Sequence, residues 1–251
     1  MRKISWCAIG DSFTYLNDHL DETGYRVTKG YLTGTCELLP QLEVRNMGIN
    51  GSVTEDWLTV DIPKAGLYTV LLGTNDWNRS VPCGTEEDFK ACRQGTILGN
   101  LGILLAHISL AAPEGKVIVM NPVERGDFVY IGDPENNAPG SYAPRSGQRL
   151  DDIADAIYSA CEHSGVPALD LHGRSGFGQD NVLKFKRVKR HGKYQELPYP
   201  DYVGIPFHPT EDEYPYPPDA AALTYDGLHP SDEGNRIIAG LLAEKIKEVM
   251  D

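Results

Sequence analysis

No stretch of this 251-residue chain approaches the 18 or more consecutive apolar residues that a membrane-crossing helix needs. The opening run Met1–Ile9 passes straight into a strand-like pattern with no long apolar segment of the signal-peptide kind, so the expected location is cytoplasmic unless a leader was removed. Cysteine is sparse and odd in number (Cys7, Cys36, Cys83, Cys92, Cys161), with no C-x-x-C pair. At least one thiol is therefore free, which points to a reducing compartment. Basic residues are outnumbered: 23 Lys and Arg against 36 Asp and Glu give a formal charge of −13. Such a surface repels nucleic acid and anionic membrane, so neither a nucleic-acid partner nor stable membrane insertion is expected. There is no repeat period, low-complexity tract or heptad run. The chain also lacks G-x-x-x-x-G-K-[ST] for nucleotide phosphates, H-E-x-x-H for zinc and the G-x-S-x-G nucleophile elbow. Gly176-Phe177-Gly178 lacks the third glycine of a dinucleotide site, and Asp11 with Asp76 has no accompanying His cluster to suggest a metal pair. Neither a cofactor nor a metal is expected.

What is present describes a globular chain, 41% hydrophobic and 24% charged. Short apolar runs alternate with longer helical patterns, the signature of βαβ units and a parallel sheet. Strands are expected at Ile4–Ile9, Leu42–Asn46, Tyr68–Leu72, Lys116–Asn121 and Val166–Leu171. Helices are expected over about Thr28–Leu39, from the Thr85 cap to about Leu110, over Gln148–His163, and from the Ser231 cap onward. In the last of these Ile237, Ile238, Leu241, Leu242, Ile246 and Val249 recur at helical spacing, a stripe for packing on the sheet. Five strands and their crossovers predict an α/β three-layer α/β/α sandwich, with residues 1–251 as a single domain. Residues 173–225 fit poorly. They read as an insertion with a β-hairpin, Val182–Arg190 and Lys193–Leu197 around His191-Gly192.

In open parallel sheets reactive groups gather at the carboxyl ends of the strands. Four polar signals fall there. Ser12 follows the first strand in Gly10-Asp11-Ser12, Gly51 lies in the turn after the second, Asn75 follows the third, and Asp226 and His229 precede the final helix. Each alone has an ordinary explanation. Ser12 suits a helix cap, Asn75-Asp76 suits a turn, and a histidine three residues after an aspartate is more often structural than catalytic. Together they supply what acyl transfer requires. A serine hydroxyl needs an imidazole to take its proton, the imidazole needs a carboxylate to fix its tautomer, and the tetrahedral intermediate needs fixed N–H donors. The amides of Ser12 and Gly51 and the side-chain amide of Asn75 can converge in one crevice. Gly48 is a rival to Gly51.

Taken in order, Gly10-Asp11-Ser12, Asn46…Gly51, Gly73-Thr74-Asn75-Asp76 and Asp226-Gly227-Leu228-His229-Pro230 resemble the four blocks of the SGNH (GDSL-like) hydrolases, from residue 10 to residue 230. Phe13 stands where that family usually has Leu, and Thr74 where Gly is frequent. The resemblance implies Ser12 as nucleophile, His229 as base, Asp226 as its partner, and Ser12, Gly51 and Asn75 as oxyanion donors. It also implies a flavodoxin-like strand order 2-1-3-4-5. The activity it implies is hydrolysis of small acyl esters, acetyl groups on carbohydrate among them. Lysophospholipase, thioesterase and acyltransferase activity stand beside it, and a catalytically silent sugar-binding protein is the alternative of another class. Small-molecule or carbohydrate esters are the expected partners. The insertion adds one expectation. Lys184, Lys186, Arg187, Lys189, Arg190 and Lys193 form a basic strand that either blunts an exposed edge or steers an acidic substrate, beside a wall of Tyr199, Tyr202, Phe207, Tyr214 and Tyr216.

Overall fold

The computed structural model describes residues 3–130 and 137–250. Five strands, β1 (Ile4–Gly10), β2 (Leu42–Asn46), β3 (Leu67–Leu71), β4 (Lys116–Met120) and β5 (Ala168–Leu169), form one sheet in the order β2-β1-β3-β4-β5. Every neighbouring pair runs parallel. Side-chain alternation sends each strand into two cores. Trp6 and Ala8 of β1, Leu67 and Leu71 of β3, and Ile118 and Met120 of β4 pack on one face with residues of α2 (Tyr31–Leu38) and α8 (Asp232–Met250). Cys7 and Ile9, Tyr68 and Val70, and Val119 pack on the other with residues of α5 (Ile97–Ala111) and α6 (Leu150–His163). Burial on both faces is why the strands read as continuous apolar runs. The result is the expected three-layer sandwich and strand order.

Two helices differ from their sequence patterns for local reasons. The one expected to start near Thr28 begins at Tyr31, because the Thr28 and Lys29 amides donate instead to the Asp232 carboxylate at 2.7 and 3.1 Å. The long helix expected from Thr85 is two, α4 (Glu86–Lys90) and α5. Cys92 and Gly95 turn left-handed between them, and Thr96 caps the second helix by accepting from the Gly99 amide. In the insertion, β6 (Lys186–Arg190) and β7 (Lys193–Leu197) form the expected hairpin, with His191 and Gly192 both at positive φ as a two-residue turn demands. All five cysteines are free thiols.

Three of the six basic residues meet acids. Lys186 is buried and pairs with Asp127 at 2.6 Å, Arg187 meets Glu196 of the facing strand at 2.6 Å, and Lys189 approaches Asp212 at 4.0 Å. Lys186 thus ties the hairpin to the loop after β4, whereas Lys184, Arg190 and Lys193 are exposed and pair with no acid among the described residues.

The carboxyl ends of β2 and β3 are tied by one buried carboxylate. Asp76, in α3 (Thr74–Asn78), is 0% exposed and accepts from the Thr54 amide at 3.0 Å and its hydroxyl at 2.6 Å. Asn100 of α5 donates to the same hydroxyl at 3.1 Å. Asp76→Ala would leave those donors dry and unpaired, so it should cost about 1–3 kcal/mol of stability, measured by urea denaturation.

Candidate active site

β1 ends at Gly10, and Asp11 caps the short helix α1 (Ser12–Tyr15) by accepting from the Phe13 amide at 3.0 Å. Ser12 is the first residue of that helix, buried at the strand's carboxyl end. Across 217 positions of sequence, the Ser12 hydroxyl meets His229 Nε2 at 2.9 Å. His229 Nδ1 lies 2.7 Å from Asp226 Oδ2. A carboxylate only accepts, so Nδ1 carries the proton and Nε2 presents a lone pair to the serine. The Asp226 carboxylate also accepts from the Leu228 and His229 amides at 3.0 and 2.7 Å. Burial alone would raise the pKa of Asp226, but the His229 ring and these hydrogen bonds outweigh it and hold the carboxyl below its ordinary value. Phe13, Phe128 and Tyr225 surround the imidazole at ring distances of 6.0, 5.4 and 5.9 Å, which keeps water from its faces.

The two rival glycines have separate tasks. A Cβ on Gly48 would lie 2.1 Å from the Tyr15 nitrogen, so Gly48 lets the turn after β2 pack directly on the α1 backbone. Asn46 secures that contact, donating to the Thr14 carbonyl at 2.9 Å and accepting from the Gly48 amide at 2.8 Å. Gly51 sits at φ +72° and lines a cavity of about 650 Å³ together with Ser12, Asn75, Asp226 and His229. Asn75 Nδ2 donates to the Ser52 carbonyl at 3.1 Å, which orients its amide beside the same cavity. Among the described residues, the amides of Ser12 and Gly51 have no protein acceptor. All five residues singled out in the sequence thus meet in one cleft.

Of the aromatic wall expected from the insertion, Tyr214 lines the cavity; Tyr199, Tyr202, Phe207 and Tyr216 do not. Tyr130 and Tyr225 line it instead. Sequence reasoning passed over Arg125, a buried residue in the loop after β4 that also faces the cavity. An isolated arginine in a loop gives no periodic signal. Asp11 and Asp76 do not form a metal pair; the described group with suitable spacing is Glu124, Asp151 and His172, outside the cavity lining. One oxygen of each carboxylate is engaged, Glu124 Oε2 by Ser141 and Gln179 and Asp151 Oδ2 by Arg149, while Asp151 Oδ1 has no partner among the described residues.

Asp11 carries an electrostatic cost at this site. Burial pushes its carboxyl from an ordinary 3.8 up to about 7, against the hydrogen bond from Phe13. Its contribution to stability is therefore fully present below pH 3.8 and lost as pH rises through 7. Asn can keep the cap without the charge. Asp11→Asn should match the wild type in urea midpoint near pH 3.5 and exceed it increasingly up to about pH 7, with a constant gap above.

Comparisons with known proteins bear on the family and the fold. The model of the GDSL-like Lipase/Acylhydrolase family matches residues 8–237. No curated protein matches the chain. Among solved structures, a possible lipase from Chitinophaga pinensis DSM 2588 is 44% identical with a TM-score of 0.96, covering 99% of each chain. A carbohydrate esterase of family 3 from Talaromyces cellulolyticus has 16% identity and a TM-score of 0.55, over 98% of each chain. An aryl esterase from M. smegmatis has 14% identity and a TM-score of 0.54, over 98% of this chain and 99% of that one. These last two share the fold alone. With its family's sequence blocks spread over nearly the whole chain, the protein belongs to the GDSL-like lipase/acylhydrolase family and is an ester hydrolase.

Proposed function

We propose that the protein is a serine esterase that removes small acyl groups, acetyl foremost, from a carbohydrate alcohol. The observation that carries this reading is the continuous line of hydrogen bonds from Ser12 through His229 to Asp226. In the first half-reaction Ser12 Oγ attacks the ester carbonyl while His229 Nε2 takes the hydroxyl proton. Asp226 holds the ring in that tautomer and stabilises the imidazolium. The carbonyl oxygen becomes an oxyanion held by the Ser12 and Gly51 amides and by Asn75 Nδ2. Collapse breaks the bond to the alcohol oxygen, which leaves with the proton from His229. Water, deprotonated by His229, then attacks the acyl-serine, and a second collapse releases the acid and restores the serine.

A cavity of about 650 Å³ lies in the usual range for a bound small molecule. Tyr130 and Tyr214 line the cavity and can pack on a sugar ring, which supports a carbohydrate as the alcohol part. The intact serine, histidine and aspartate set weighs against a silent sugar-binding protein.

A fluorophosphonate probe should label Ser12, and the Ser12→Ala protein should remain unlabelled. Ser12→Ala should lower kcat by at least about a thousandfold on acetylated sugars and on p-nitrophenyl acetate, with an unchanged circular dichroism spectrum. Near-native turnover in a clean preparation would remove the serine mechanism.

A second expectation concerns protons. A histidine base must be neutral, so kcat/KM should rise with pH through the range where histidines titrate and then level off. Asp226→Asn should lower the plateau by orders of magnitude, because the amide favours the wrong imidazole tautomer. A flat profile between pH 5 and 9 would contradict the assignment.

A further inference from the structure

Arg125 is a buried cation at this site whose chemistry the esterase mechanism does not use. It is 1% exposed and lines the cavity that holds Ser12 and His229. Its guanidinium lies 5.6 Å over the Trp77 ring, a face that supports a cation without consuming its donors. Among the described residues, neither Nε nor Nη2 has a hydrogen-bond partner. A buried structural arginine normally directs its five donors at carbonyls or carboxylates.

The two acids whose charges Arg125 feels are both fully engaged. Asp127 accepts from the Gly140 amide, the Tyr142 hydroxyl and Lys186 at 2.9, 2.6 and 2.6 Å. Asp226 is taken up by its own loop amides and His229. Burial lowers the guanidinium to about 10, which still leaves it charged at neutral pH. A buried guanidinium whose Nε and Nη2 have no partner among the described residues, at the edge of a ligand-sized cavity, is suited to receive an anion. Arg26 and Arg79 line the same cavity and add positive potential, although each already donates to a backbone carbonyl, at 3.2 and 2.8 Å.

We propose that Arg125 binds an anionic group, a carboxylate or another oxyanion of matching shape, on the alcohol part of the ester substrate. The side follows from neighbours. Gly126 donates to the Gly227 carbonyl at 2.7 Å, so the Arg125 loop packs on the loop that carries His229. His229 is the group that protonates the departing alcohol, whereas Gly51 and Asn75 attend the carbonyl oxygen. This inference rests on the esterase reading and narrows its substrate to acetylated acidic alcohols, such as a sugar bearing a carboxylate. Planar, bidentate recognition of that kind is what distinguishes arginine from lysine.

The test uses matched acetate esters that differ in one charge, 4-acetoxybenzoate and its methyl ester. The wild type should favour the anion in kcat/KM by about tenfold or more, and Arg125→Met should lower that ratio by about tenfold or more. Arg125→Lys should recover only part of it. A ratio unchanged in Arg125→Met, or a wild-type preference for the neutral ester, overturns the proposal. Mono-4-nitrophenyl adipate against 4-nitrophenyl hexanoate places the charge on the acyl part; an anion preference confined to this pair overturns the assignment to the alcohol side. Should the esterase reading itself fail, or the variants not fold, calorimetric titration of the unaltered protein decides. Binding of 4-hydroxybenzoate and not its methyl ester supports the anion site, and binding of neither, or of both alike, overturns it.

Discussion

A buried imidazole must satisfy both of its nitrogens, and His229 does so with residues from opposite ends of the chain. Ser12 lies at the end of the first strand, and Asp226 lies three residues before His229 in the last loop. For these to meet, β1 must occupy an inner position of the sheet and α8 must pack beside it. The order β2-β1-β3-β4-β5 supplies that arrangement, with Ser12, Gly51, Asn75 and Arg125 all emerging from the carboxyl ends of successive neighbours. The donors for an oxyanion are then consequences of chain reversal. An amide at the start of α1, an amide in a left-handed turn and an asparagine oriented by a backbone carbonyl need no rearrangement during reaction.

The chemistry at this end of the sheet depends on backbones that approach very closely. Gly48 against Tyr15 sets the height of the β2 turn above α1, and Asp76 with Thr54 sets the distance between that turn and α3. The same burial that fixes these groups also works against charge, raising the carboxyl pKa values of Asp11 and Asp76. Asp226 escapes because a histidine and two amides face it. Three aspartates within one site thus have different proton affinities, and the surroundings of each account for the difference.

Much of this could be read from residues alone. Buried parallel strands advertise themselves as apolar runs, and although Ser12, Asn75, Asp226 and His229 each have an ordinary explanation alone, their combination in order is conspicuous. Only the family resemblance favours Gly51 over Gly48; the task of Gly48 depends on the nearness of Tyr15, which sequence spacing does not contain. The break between α4 and α5 had a partial signal in Gly95, but the left-handed turn at Cys92 carries none. Asp76 read as a turn residue and Arg125 as nothing in particular. The role of each depends on partners from distant elements, Thr54 for the first and Trp77 with Gly227 for the second. The pairing of the basic hairpin was not legible, because the acids that meet Lys186 and Lys189 lie outside it.

The way the insertion is fastened has a consequence for how this enzyme can change over generations. Asp127 accepts from Lys186 of the hairpin and, through its carbonyl, from Tyr216 at 2.7 Å. Its neighbour Gly126 is bonded to Gly227, and Thr224 donates to the Val182 carbonyl just before Asp226. The decorated segment and the loop bearing the base are therefore one mechanical unit. In a scaffold whose peripheral loops hang free, recognition can drift while the reaction centre stays fixed. Here a new binding wall cannot be grafted without retuning the bonds that hold the histidine. Chains sharing this segment should diversify by point changes on the cavity wall, and wholesale exchange of the segment should be a rare event.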